Sequence, residues 1–131
     1  MKTNFGADHP FVPASHENPL DPGVWKKVLF PQADLQSGVV QMVNWARLPA
    51  GKRFAAHYHE DMQEIFVILQ GEAHLQVGAD RVVMRRGDAV RIDAREVHTM
   101  ANPGSDDVEY LVVGISAGAG GRTVVVERES P

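Results

Sequence analysis

Two histidines one residue apart, His57 and His59, are followed five residues later by Glu64. On a strand, residues two apart point to the same face, so the pair presents both imidazoles to one side. Glu64 opens the next apolar run, and Glu60-Asp61-Met62 reads as a hairpin that brings its carboxylate beside them. Imidazole nitrogens with one carboxylate oxygen suit a borderline first-row divalent ion, with positions left for water or substrate. A third imidazole is needed to complete the set. His98 stands at the start of a later strand, after the turn residue Gly87 and the run Asp88-Ala-Val-Arg-Ile92.

Other residues could serve such a site. Phe66 and Met100 lie two positions after Glu64 and His98, so both are expected to face the same interior and line a pocket. His9, His16 and His74 read as ordinary surface histidines; His74 alternates with Glu72 and Gln76, opposite Ala73, Leu75 and Val77. Trp25 and Trp45 read as packing aromatics, and Asn102 in Asn-Pro-Gly as a turn residue. Arg47, Tyr58, Gln63, Arg95 and Tyr110 could contact a polar substrate, and the sequence does not choose among them.

The elements that must position these groups are short and β-rich. Strands are expected near Val24–Phe30, Val39–Leu48, Phe54–His59, Glu64–Leu69, Ala73–Val77, Arg81–Met84, Ala89–Ile92, Val97–Ala101, Val108–Ile115 and Thr123–Glu127. Gly51, Gly71, Gly78, Gly87, Asn102-Pro103-Gly104 and the run Gly118–Gly121 punctuate them. No stretch shows a 3.6-residue apolar period of helical length, so the pattern is that of a sandwich or closed barrel. Residues 1–23 differ: Pro10, Pro13, Pro19 and Pro22 forbid a helix and favour an extended arm before a single barrel domain over 24–131. Val108–Ile115 and Glu64–Leu69 are apolar on both alternating sets, and strands of that kind must be covered on both faces. One small barrel covers only the inner face. A second copy of the chain, or the arm, is expected over the outer one, and the reading is a homodimer.

The bulk numbers narrow the partners. With 131 residues the chain is one domain's worth. The net charge of −4 is scattered rather than blocked, a poor match for nucleic acid or an anionic membrane. Absence of cysteine removes disulfides, thiolate ligands and a thiol nucleophile together. The apolar runs are far short of a membrane span and Met1–Asp21 has no apolar signal segment, so a cytoplasmic protein is expected.

At the two histidine-bearing stretches the chain resembles the cupin superfamily, whose motifs are G-x5-H-x-H-x3-4-E-x6-G and G-x5-P-x-G-x2-H-x3-N. Gly51, His57, His59, Glu64 and Gly71 match the first at every fixed position; Gly87, His98 and Asn102 match the second. Fifteen residues separate Gly71 from Gly87, the short spacing of small single-domain cupins. Two positions depart, Asp93 for the proline and Arg95 for the second glycine, which leaves open the backbone form of the turn 93–96. The resemblance implies an all-β jelly-roll barrel. It also implies one divalent metal (Fe, Mn, Ni, Zn, Co or Cu) on His57, His59, Glu64 and His98. Cupins include dioxygenases, isomerases, decarboxylases and non-catalytic binding proteins, and the fold does not choose among them. The expectation is a metal-dependent enzyme acting on a small oxygen-rich molecule, in which the metal centre itself is the catalytic group. The alternative is a metal-anchored small-molecule-binding module without turnover.

Overall fold

A computed structural model describes residues 4–35, 39–116, 118 and 122–126. Eleven strands run in chain order: β1 (Val12–Pro13), β2 (Trp25–Phe30), β3 (Val40–Leu48), β4 (His57–His59), β5 (Gln63–Gln70), β6 (Glu72–Val77), β7 (Asp80–Arg85), β8 (Ala89–Ile92), β9 (His98–Ala101), β10 (Val108–Ile115) and β11 (Thr123–Val125). They form two antiparallel sheets, a six-stranded one in the order β1-β2-β3-β10-β5-β8 and a five-stranded one in the order β11-β4-β9-β6-β7. Among the described residues no helix is long and apolar enough to cross a membrane.

The sheets form where alternation is strongest. Along β10 every second residue is buried, from Val108 through Tyr110 and Val112, and its neighbours β3 and β5 follow the same rhythm. Register puts the inward residues side by side: Ala46 opposite Tyr110, Tyr110 opposite Ile68, Asn44 opposite Val112, Val112 opposite Phe66. The facing sheet contributes Ala73, Leu75, Met84 and Met100 to the same apolar cluster. Each fully buried side chain of this size contributes about 1.5–3 kcal/mol, which holds the two sheets face to face.

Several expectations change in detail. The fourth strand begins at His57 rather than Phe54, because Phe54 turns into the core and Ala55 gives its carbonyl to a side chain. Glu60-Asp61-Met62 is not a hairpin. β4 belongs to the five-stranded sheet and β5 to the six-stranded one, so this segment crosses between sheets, anchored by the buried Met62. The last strand is seen over Thr123–Val125; Glu127 lies outside the described residues, as do 119–121 of the glycine-rich run.

The turn that bears the two departures, Asp93 and Arg95, is closed by the Glu96 N–H donating to the Asp93 carbonyl at 3.2 Å. Arg95 takes φ 71°, the left-handed conformation that suits glycine, and its N–H donates to the His59 carbonyl at 2.7 Å. Asn102 is more than a turn residue. Buried beside β9, it donates through Nδ2 to the Leu48 and Asp106 carbonyls and through its N–H to the Lys52 carbonyl. It thereby clamps the end of β3 to the loop after β9. Gly71, at φ 86°, turns where a Cβ would lie 2.9 Å from the Asp107 carbonyl oxygen, so the chain closes there only without a side chain.

The arm lies against the barrel where it is described. Val12 and Pro13 pair with Lys26 and Trp25, and the Ala14 N–H donates to the Val24 carbonyl. Phe11 sits under the cations of Lys27 and Arg47, at 4.7 and 4.3 Å from its ring centroid. The outward residues Ile65, Val67, Leu111 and Val113, further along the same sheet, are half-buried.

Candidate metal centre

The four residues with metal-ligating chemistry come from both sheets. His57 and His59 share the inward face of β4, and His57 stands directly opposite His98 on β9. Glu64 enters from β5 of the other sheet, opposite Gly114 on one side and Ile92 on the other. All four are buried, and one ligand atom from each lies within 4.8 Å of the other three. A chain crossing from one sheet to the other between residues 59 and 63 achieves what the expected hairpin would have done within one sheet.

The hydrogen bonds orient the imidazoles. Nδ1–H of His57 donates to the Ala55 carbonyl at 2.6 Å, and Nδ1–H of His98 to the Glu96 carbonyl at 2.9 Å. A carbonyl only accepts, so both rings carry their proton on Nδ1 when neutral and turn a bare Nε2 inward. His59 Nδ1 lies 2.9 Å from the Thr123 hydroxyl, and its Nε2 is hydrogen-bonded to Glu64 Oε1 at 2.8 Å. His98 Nε2 is 3.2 Å from the same oxygen but is not aligned for a hydrogen bond, and it is a buried nitrogen without a partner. A lone pair buried, unpartnered and aimed at a carboxylate is costly unless something electrophilic accepts it. Three imidazoles and one carboxylate oxygen, with the outer nitrogens tied to fixed acceptors, are the donor set and support that a divalent transition metal requires.

The electrostatics agree. Burial pushes the Glu64 carboxyl up. The hydrogen bond from His59 outweighs it and holds the group ionised, well below the usual carboxylate range. Burial, helped by repulsion from His16 and His98, lowers His57 to about 3, so its ring is neutral and ready to ligate at neutral pH.

His57, His59 and Glu64 stand at the wall of a cavity of about 350 Å³, and His98 is buried beside them. Phe66 lines it and Met100 does not: Met100 points into the core behind the site and is 1% exposed. Of the five residues considered for substrate contact, Tyr110 lines the cavity, with burial and then Glu64 keeping its phenol protonated. Arg47, Tyr58, Gln63 and Arg95 are not on its wall; Gln63 instead donates to Asp93 at 2.7 Å. Trp25 is part of the wall, Trp45 is not, and His74 is exposed on the outer side of β6.

The arm supplies what sequence reasoning missed. His16 is no surface histidine: it lines the cavity and packs against His57, ring centroids 4.2 Å apart and planes inclined by 36°. Burial lowers it to about 4. The neighbouring Glu17 accepts from the N–H groups of Gly23 (2.8 Å) and Ala55 (3.2 Å), and Ala55 is the residue whose carbonyl orients His57. Lys26, Asn44 and Thr123 also reach the cavity. A lysine and an asparagine on the inward face of β2 and β3 break the alternation rule that would have placed them outside.

A two-sheet antiparallel barrel with this cluster between the sheets defines a cupin. The chain belongs to that family: the family model Cupin domain matches residues 44–114. The chain is similar to an oxalate-binding protein of Thermotoga maritima, 36% identical over 67 residues, which are 51% of this chain and 55% of that one. The match thus spans about half the length of that relative. Among solved structures, a predicted oxalate decarboxylase of Thermotoga maritima superposes with a TM-score of 0.76 at 25% identity, covering 88% of this chain and 99% of that one. The polyketide cyclase RemF of Streptomyces resistomycificus superposes at 0.78 with 17% identity over 98% and 87%, a likeness of fold alone. The arm that carries His16 lies outside the stretch matched by the family model.

Proposed function

We propose that this cupin holds one divalent transition metal on His57, His59, Glu64 and His98 and acts on a small oxygen-rich molecule in the adjoining cavity. The observation that carries the reading is the convergence of four buried ligand atoms, three of them from residues on the wall of an otherwise largely apolar cavity. A bound metal supplies Lewis acidity, or oxygen activation if it is Fe(II). The chain supplies the rest: Ala55 and Glu96 orient two imidazoles, Glu64 contributes the negative charge, and Phe54 and Phe66 exclude water from one side. Four protein donors leave open positions on a six-coordinate ion, which suits a ligand that chelates through two oxygens. Metal-centred chemistry of the dioxygenase, isomerase or decarboxylase type is the preferred outcome. The oxalate-binding relative favours a second reading, in which the ligand is held and released unchanged.

We also read the chain as a homodimer, since Ile65, Val67, Leu111 and Val113 line up on an outer face, while the arm's Phe11 lies further along the sheet against Lys27 and Arg47. Light scattering at the monomer mass of 14.4 kDa would refute that part. The division into an arm over 1–23 and a barrel over 24–131, and a cytoplasmic location, belong to the same proposal.

The test is elemental analysis of protein purified without chelator, beside His57→Ala/His59→Ala. Near-stoichiometric metal in the wild type alone supports the site. Absence of metal after reconstitution with Fe, Mn, Ni and Zn refutes it. Turnover of diketones, catechols and phosphorylated sugars, with oxygen uptake followed in parallel, then separates catalysis from binding. A molecule that raises the melting temperature and is recovered unchanged decides for the binding module.

A further inference from the structure

The cavity is unevenly furnished. Apart from the ligand cluster, its walls are mainly apolar, with Met42, Phe54, Phe66 and Val112 among them. Against this background stands one ammonium. Lys26 lies on β2 opposite Ala46, whose other neighbour Tyr110 also lines the cavity, so register turns the lysine inward. Its Nζ donates to the exposed Ser15 hydroxyl at 2.8 Å, which puts the ammonium at the solvent-facing rim of the cavity, and no carboxylate pairs with it among the described residues. Burial lowers its pKa, the sign of a cation partly stripped of water without an anion in exchange.

The charges can be counted. Glu64 is the one acid on the cavity wall among the described residues, and it is committed to the histidine cluster. A divalent ion against Glu64 leaves one positive charge at the buried end of the cavity, and Lys26 adds a second at its rim. The inner charge is buried and costly unless paired, and the half-buried ammonium at the rim is within reach of a second anionic group, so the complementary ligand is a dianion. A compact diacid would meet that charge while leaving the apolar walls wetted. The volume holds roughly ten waters at about 30 Å³ each, and water against apolar walls is released favourably by an apolar group.

We propose that the ligand of this cavity is a two-headed acid: an oxygen-chelating head at the metal, an apolar middle against Phe66 and Val112, and a second anionic group at Lys26 and Ser15. The inference rests on the metal reading above and adds the substrate class to it. It differs from an oxalate-like ligand, which has no middle, and from a simple apolar acid, which has no second head. Lys26 is here a specificity-determining residue, outside the metal cluster and outside the stretch matched by the family model.

The test is calorimetry on the Co(II)-loaded full chain with acid pairs that differ only in a terminal carboxylate or methyl: 2-oxoadipate with 2-oxohexanoate, and 2-oxosuberate with 2-oxooctanoate. Oxalate is the body-less control. At least one diacid should bind about tenfold or more tighter than its paired monoacid and than oxalate, as a charge-assisted contact implies. Lys26→Met should bring the members of that pair to within about twofold of each other, and Lys26→Arg should preserve the preference. Equal binding within both pairs, tightest binding of oxalate, or a preference unchanged in Lys26→Met overturns the two-headed ligand while leaving the metal site standing. No binding of any acid to protein that holds Co(II) overturns both this inference and the small-molecule reading. Failure to hold Co(II) at all, in wild type as in His57→Ala/His59→Ala, refutes the metal site itself.

Discussion

Replacing Arg95 by glycine should stabilise this protein, and the structure allows the size of the effect to be worked out. Arg95 is held at φ 71° with its side chain exposed and unpaired among the described residues. An L-residue in that region suffers a Cβ clash of about 1–2 kcal/mol. Glycine removes the clash but gives the unfolded chain more freedom, a loss of roughly 0.5–1 kcal/mol. The hydrogen bond from residue 95 to the His59 carbonyl uses the backbone N–H and survives the change. The balance is a gain of about 0.5–1 kcal/mol, or roughly 2–4 °C in melting temperature for a domain of this size. Asp93→Pro, the other departure from the family motif, should act in the opposite direction. It deletes the N–H that donates to Glu96 at 2.8 Å and the carboxylate that holds Gln63 and Arg91, a loss of about 1 kcal/mol. Urea denaturation of both variants as metal-free protein, with metal stoichiometry measured in parallel, is the assay. A destabilised Arg95→Gly with unchanged metal binding would show that the arginine side chain does something its exposure does not reveal.

Three further outcomes are expected. His59→Ala should lose metal by elemental analysis while keeping the circular dichroism of an all-β fold, since β4 stays paired to β11 and β9 through backbone bonds; full metal occupancy would refute the ligand assignment. Glu17→Ala should weaken metal affinity about tenfold or more without touching a ligand, because it releases the N–H of Ala55, the residue whose carbonyl orients His57, whereas His16→Phe, which preserves the ring contact, should change it less. Competition with a chromophoric chelator reads both, and equal affinity for Glu17→Ala and wild type would remove the arm from the site. Metal-free protein should lose stability as pH falls. His57 and His16 have folded pKa values depressed to about 3 and about 4 from 6.5, so their contribution is present above pH 6.5 and is lost between 6.5 and those values. Glu64, also depressed, adds a loss that begins as pH falls below about 4.5. Denaturation midpoints that stay flat from pH 7 to 4 would contradict the buried neutral histidines.

Much of this molecule was legible in order along the chain. Alternation made the strands visible, with Ala89–Ile92 and Val108–Ile115 read at their observed bounds, because a half-buried pleated surface imposes a period of two on side chains. The ligand candidates were legible too: H-x-H puts two imidazoles on one face by backbone geometry alone, and the glycines around it mark turns of positive φ such as Gly71. Tertiary structure decided the remainder. Whether residues 60–62 form a hairpin or a crossing depends on which sheet each flanking strand joins, and that is settled by β10 and β9, tens of residues away. Met100 shares a face with His98 yet lies in the core, because a strand's inward face spans both the metal end of the barrel and its packed interior. His16, Glu17 and Lys26 carry no local signal at all. The first two act because the arm's hydrogen bonds to Gly23, Val24 and Ala55 lay it against the cavity, and Lys26 because its register with Ala46 turns it inward; both are properties of the closed fold, not of spacing.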